Sequence, residues 1–119
     1  MSNVTVSYMY RDGNNFKQTA EVVVDNPDNL DLNQAEAQIL KTLDEQRYFI
    51  AHQLDLPDAF FWTNTNHPFD PEADHSWHEF TGLTPTDDEP TDERTLSQLI
   101  AAFHKASTDG WAEFDPAEA

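Results

Sequence analysis

Two alternating segments flanking a run of turn-forming residues set the first limit on this fold. Val4, Val6, Tyr8 and Tyr10 alternate with Thr5, Ser7 and Met9, and after the break Ala20, Val22 and Val24 alternate with Lys17, Thr19 and Glu21. A period of two places each apolar set on one side of a half-buried strand. Between them lies Arg11-Asp12-Gly13-Asn14-Asn15, rich in residues that tolerate positive φ. The pattern predicts a hairpin whose second strand runs from Phe16 to Val24.

The rest of the chain reads as further short elements. Asn26-Pro27-Asp28-Asn29 breaks the second strand, and Asp31 followed by Gln34 is a variant of the helix capping box. Leu32, Ala35, Ile39, Leu40 and Leu43 recur at helical spacing, predicting a helix over about 32–44. Tyr48-Phe49-Ile50-Ala51 and Phe60-Phe61-Trp62, on either side of Pro57, are short, apolar and β-prone. Ser76 to Thr81 alternates like another strand, and Thr84 to Thr91, with two prolines and three acids, reads as a loop. Thr91 is the expected N-cap of a second helix, with Asp92 and Glu93 in its first turn. Leu96, Leu99, Ile100 and Phe103 form its apolar stripe and Gly110 its stop, after which Trp111 and Phe114 should fold back on the core. The order β-β-α-β-β-β-α predicts an α+β domain over residues 1–114: an antiparallel sheet with two helices packed on one face. The other face can stay solvated. Residues 115–119 are expected to form an acidic tail.

At 119 residues the chain has the size of one domain with one core. A chain of this length buries roughly two thirds of its unfolded surface and needs no staple. The absence of cysteine excludes disulfides, thiolate metal sites and a cysteine nucleophile. The first residues lack the basic and apolar pattern of a signal peptide, and no segment approaches the ~20 apolar residues of a membrane span. The expectation is a cytoplasmic monomer without a membrane association.

Charge narrows the function classes. There are 23 acids against 6 lysines and arginines, a formal net charge of −17, far beyond the roughly 2 to 8 that solubility requires. Such density repels itself and weakens the fold. Direct binding to nucleic acid or to an anionic membrane is disfavoured, since both carry the same sign. The charge is also uneven: residues 1–60 carry 10 acids and 4 bases (net −6), residues 61–119 carry 13 and 2 (net −11). The densest one-signed stretch comprises Asp70, Glu72, Asp74, Glu79, Asp87, Asp88, Glu89, Asp92 and Glu93, the candidate partner-binding residues.

Motifs for chemistry are weak by comparison. His67, Asp70, Asp74, His75 and His78 contain ligand types suited to Zn²⁺, but a strand over Ser76 to Thr81 would send residues three apart to opposite faces. Asp70-x-Glu72-x-Asp74 opens like a calcium loop, yet His75 and Thr81 stand where the EF-hand needs Gly and Glu. There is no nucleophile elbow, and with Gly13, Gly82 and Gly110 as the only glycines there is no phosphate loop. Tyr8 and Tyr10 lack the cationic groove that a single-strand stacking platform requires. No enzyme, metal or cofactor is expected.

Interaction through charge is what is left. Duplex DNA presents one negative charge per ~3.4 Å on each strand. Carboxylates at alternate strand positions lie ~6.7 Å apart, and at i, i+3 or i+4 on a helix ~5–6 Å apart. A folded acidic surface can therefore approximate every second phosphate. In size, acidity and lack of cysteine, and in its Tyr-Met-Tyr-Arg-Asp-Gly-Asn-Asn-Phe-Lys and Trp-His-Glu-Phe segments, the chain resembles small acidic bacterial DNA-mimic proteins of the type that engages the histone-like protein HU. The same segments are similar to a further bacterial family of unassigned function. The resemblance implies an acidic module that competes with DNA for a basic DNA-binding protein. It assigns no residue roles, because such mimics share no motif. An acidic adaptor for another partner, or a protein acidic because its host is salt-loving, are the alternative readings of the same composition.

Overall fold

The hairpin turn is built by one buried carboxylate. Asp12 Oδ1 accepts from the backbone N–H groups of Asn14 and Phe16, both at 2.9 Å, and Asn15 takes the left-handed conformation at φ 68°. Asp and Asn are favoured at such positions because short polar side chains bond the local backbone. In the computed structural model, which describes residues 3–57, 59, 60, 70, 72 and 74–114, strand β1 (Asn3–Arg11) pairs antiparallel with β2 (Lys17–Asp25).

The remaining elements are α1 (Leu32–Leu40), a two-residue strand β3 (Tyr48–Phe49), a 3-10 turn at Ala51–Leu54, β4 (His78–Thr86) and α2 (Leu96–Asp109). One four-stranded antiparallel sheet results, in the order β2-β1-β4-β3. The protein is thus α+β, as the alternation of the sequence implied. Val4, Val6, Tyr8, Val22, Val24 and Leu83 from the sheet meet Ala35 and Ile39 of α1 and Leu96, Leu99, Ile100 and Phe103 of α2 in one buried core. Both helices therefore cover the same face. Trp111 returns onto this core, donating its indole N–H to the Thr42 carbonyl at 2.8 Å, and Phe114 packs on a smaller cluster of Tyr10, Ala59 and Phe60.

Several boundaries differ from the sequence reading. Helix α1 stops at Leu40 rather than 44: the Thr42 hydroxyl donates to the Ile39 carbonyl at 2.6 Å, competing with a continued helical ladder. Leu43 remains buried in the turn that follows. Strand β4 begins at His78 and runs to Thr86, through what reads as the start of a loop. Pro85 is tolerated there because its nitrogen faces the free edge, as the Leu83 amide does two residues earlier. That Leu83 N–H is taken by Glu36 Oε1 of α1 at 2.8 Å. Proline and a capped amide both protect an edge from further strand pairing. Phe60 lies outside any strand. Its carbonyl and that of Ala59 accept from Gln18 Nε2 at 3.3 and 3.2 Å, so side chains replace a ladder. Phe61 and Trp62, His67 and the tail 115–119 fall outside the described residues.

The second helix starts four residues later than the composition suggests. Thr95, not Thr91, is the N-cap: its side chain accepts from the Gln98 N–H at 3.2 Å while Gln98 Oε1 accepts from the Thr95 N–H at 2.9 Å. Asp92 and Glu93 thus precede the helix. Replacing Thr95 by Ala should cost about 1 kcal/mol of unfolding free energy in urea titrations. An unchanged midpoint would show that the cap is dispensable. Gly110, at φ 93°, ends the helix as expected. Among the described residues, no helix is long and apolar enough to cross a membrane.

Candidate protein-binding surface

The register of the sheet divides the acidic stretch in two. Asn3 of β1 pairs with Asp25 on one side and Thr86 on the other, so these three residues mark one end of the sheet. Arg11 pairs with Lys17, and Met9 with Glu79, at the other. The nine residues of β1 separate the ends by roughly 26 Å. Asp70, Glu72 and Asp74 belong to the hairpin end, and Asp87 to Glu93 to the opposite one. They do not form one continuous face.

Three of the nine candidate residues are committed inside the fold. Glu79 is buried, not displayed, between the guanidinium groups of Arg11 at 3.0 Å and Arg47 at 3.9 Å. The Arg11 Nε–H is not aligned for a hydrogen bond to it, so this pairing is Coulombic. Asp74 accepts from the Tyr10 hydroxyl at 2.5 Å through Oδ1 and from the Asp70 N–H at 2.8 Å through Oδ2. Burial and that hydrogen bond push the Tyr10 hydroxyl far above the usual tyrosine range. Asp92 takes a two-pronged grip from Arg94, at 3.0 and 2.7 Å, and the guanidinium holds its carboxyl below the ordinary range. Asp70 is half-buried, its Oδ1 accepting from the Glu72 N–H at 3.0 Å.

The remaining five, Glu72, Asp87, Asp88, Glu89 and Glu93, are exposed, and four of them lie on one loop. That loop leaves β4 at Thr86, crosses the start of β1 and reaches the free edge of β2. It is pinned at each stage. The Asp88 N–H donates to Thr86 Oγ1 at 3.1 Å, and Asn3 Nδ2 donates to the Asp88 carbonyl at 2.8 Å. Thr91 then exchanges bonds with Val23: its N–H donates to the Val23 carbonyl and its hydroxyl accepts the Val23 N–H, both at 2.8 Å. This is why Thr91 is unavailable as a helix cap. Asp28 is drawn to the same end by Ser97 Oγ, which donates to its Oδ2 at 2.8 Å, and Asp25 bridges to Thr95. Both were missed by a reading centred on the acidic run. Their position follows from antiparallel pairing, which returns the end of β2 to the start of β1.

Next to the loop, Arg94 is spent on Asp92 and on the Leu54 carbonyl at 2.7 Å. Arg11, Lys17 and Arg47 sit at the hairpin end. Three of the six basic side chains thus gather at the hairpin end, while the loop from Asp87 to Glu93 at the other end meets Arg94, already engaged with Asp92. Four of the five exposed candidates ride a tethered loop, not alternate strand positions, so they form no phosphate-like repeat along β4.

The histidine pair is also placed differently from the strand reading. His75 precedes β4, and both rings lie against Tyr10, at centroid distances of 5.1 and 5.6 Å, rather than on opposite faces. His75 Nε2 bonds the Arg11 carbonyl at 2.7 Å, and His75 Nδ1 accepts from the Trp77 N–H at 3.1 Å. His78 is buried with Nε2 accepting from the Ala59 N–H at 2.9 Å. Among the described residues no group of three or more ligand types is arranged to hold a metal ion. No protein-family model, curated protein or solved structure matches the chain.

Proposed function

We propose that this protein is an acidic protein-binding module that engages a basic DNA-binding protein of the histone-like HU type and competes with DNA for it, acting in the cytoplasm as a monomer. The observation that carries this reading is the end of the sheet opposite the hairpin, where a loop held at both β1 and β2 presents Asp87, Asp88, Glu89 and Glu93 with Asp25 and Asp28 beside them. A loop whose backbone is held in advance loses little freedom on binding, which lowers the cost of engaging a charged partner. A field of one sign also speeds encounter with a Lys/Arg-rich surface. The uneven placement favours this reading over a salt-loving host, whose proteins carry acids all round.

Each surface pair contributes ~1 kcal/mol or less, so single replacements should do little. Reversing Asp87, Asp88, Glu89 and Glu93 together to lysine changes the net charge from −17 to −9 and should weaken partner binding roughly a hundredfold. The test is capture of binding partners from a cell lysate, followed by titration of the captured protein with duplex DNA. A basic partner released by DNA supports the reading. Neutral or acidic partners, or a ternary complex in which DNA and this protein bind together, would overturn it.

A further inference from the structure

A concave site of different character lies at the hairpin end. Among the described residues, Asp44, Glu45, Tyr48, His75 and Trp77 line an open cavity of about 310 Å³, within the range of small-ligand pockets (roughly 300–1,000 Å³). Tyr48 and Trp77 bring half-buried aromatic rings; Asp44 and Glu45 bring carboxylates from exposed positions in the turn before β3. Neither carboxylate has an ion-pair partner among the described residues. The Trp77 indole is fixed, its Nε1–H donating to Glu113 Oε1 at 2.7 Å. Both nitrogens of His75 are bonded to backbone groups, so the histidine lines the wall without offering a donor. No lysine or arginine is among the lining residues.

Two aromatic rings and two carboxylates without an ion-pair partner among the described residues suit a cation that is flat and forked. A guanidinium stacks on aromatic faces and meets carboxylates through paired N–H donors; an ammonium is compact, strongly hydrated and does neither as well. The chain shows the first of these contacts itself, with the Arg47 guanidinium 5.9 Å from the Tyr48 ring centroid. We infer that this cavity is an arginine-side-chain site, receiving one guanidinium of the partner against Tyr48 and Trp77 with Asp44 and Glu45 as its acceptors. The inference rests on the proposed function for the source of the arginine, and on the cavity alone for its chemistry.

The experiment is a titration of the ¹⁵N-labelled full chain with N-acetyl-arginine methylamide, following the indole N–H resonance that Trp77→Phe removes. Saturable shifts are expected with a Kd on the order of 1 mM, as suits one side chain. The lysine analogue should bind several-fold more weakly. The uncharged citrulline analogue, of the same shape, should bind at least about tenfold more weakly. Asp44→Asn combined with Glu45→Gln, both at exposed positions, should reduce affinity about tenfold with an unchanged melting temperature. Equal shifts from arginine and citrulline, or none at Trp77, would overturn the site. The two readings fail separately. An arginine analogue that fills the cavity while DNA and this protein share the partner leaves the site standing and removes the mimicry; competition with DNA and a silent Trp77 does the reverse.

Discussion

Replacing Phe49 by Ala should cost about 3–5 kcal/mol of unfolding free energy. Phe49 is fully buried although its strand is two residues long. Its ring meets Tyr8 of β1 at 5.6 Å, Phe103 of α2 at 5.5 Å and Trp111 at 6.4 Å, each edge to face. It therefore joins the sheet, the long helix and the returning C-terminal segment in one contact set. Each aromatic pair adds roughly 0.5–1.5 kcal/mol beyond area burial, and truncation leaves a void between elements that cannot collapse together. Small domains hold about 5–15 kcal/mol in total, and here a net charge of −17 already works against the compact state. Urea titration at 25 °C, followed by circular dichroism, measures the loss. A cost below about 1.5 kcal/mol would show that the aromatic joint is not where the three elements are held. Because salt screens the self-repulsion, the variant should be visibly better folded at roughly 0.2 M than at 0.02 M salt.

Acidification should destabilise the protein through His78. The ring is enclosed by Tyr8, Tyr10, Phe49 and Phe60. Burial, with a smaller contribution from neighbouring His75, pushes its pKa from 6.5 down to about 4; the Ser76 backbone opposes this but forms no aligned hydrogen bond with Nδ1. The folded state thus binds this proton less readily than the unfolded chain does. The contribution is fully present above pH 6.5 and is lost as pH falls from 6.5 toward 4, about 2 kcal/mol by pH 5 and about 3 by pH 4. Protonation of surface carboxylates relieves repulsion over the lower part of the same range, so the comparison needs an internal reference. His78→Gln keeps a side-chain acceptor for the Ala59 amide and cannot titrate. Its unfolding free energy should fall less than that of the parent between pH 7 and pH 5, by about 2 kcal/mol. Parallel curves for the two proteins would assign the acid sensitivity to another group.

Local pattern carried much of the architecture. Alternation from Val4 to Val24 around Asp12 to Asn15, the Asp31 cap, the Leu96-Leu99-Ile100-Phe103 stripe and the Gly110 stop are all interactions between residues close in the chain, and each is present. These signals survive folding because a strand's period of two and a helix's 3.6 are properties of the backbone itself. Long-range competition moved what lay between them. Thr91 has the chemistry of an N-cap, but the free edge of β2 at Val23 claims it, and Thr95 caps instead. His75 and His78 would diverge on an ideal strand, but β4 starts only at His78 and both rings close on Tyr10.

The acidic stretch shows the same division most plainly. That the chain carries 23 acids, and that they crowd the second half, was determined by the sequence alone. Which of them face water was decided by the tertiary structure. Glu79 and Asp92 are drawn to arginines and Asp74 to a buried tyrosine hydroxyl, because a carboxylate near the core needs a partner. The register of four strands then separates Asp70 to Asp74 from Asp87 to Glu93 by the length of a strand and brings Asp25 and Asp28 to the latter. Charge along a chain is a composition; charge on a surface depends on which residues the pairing of distant strands brings to the same end.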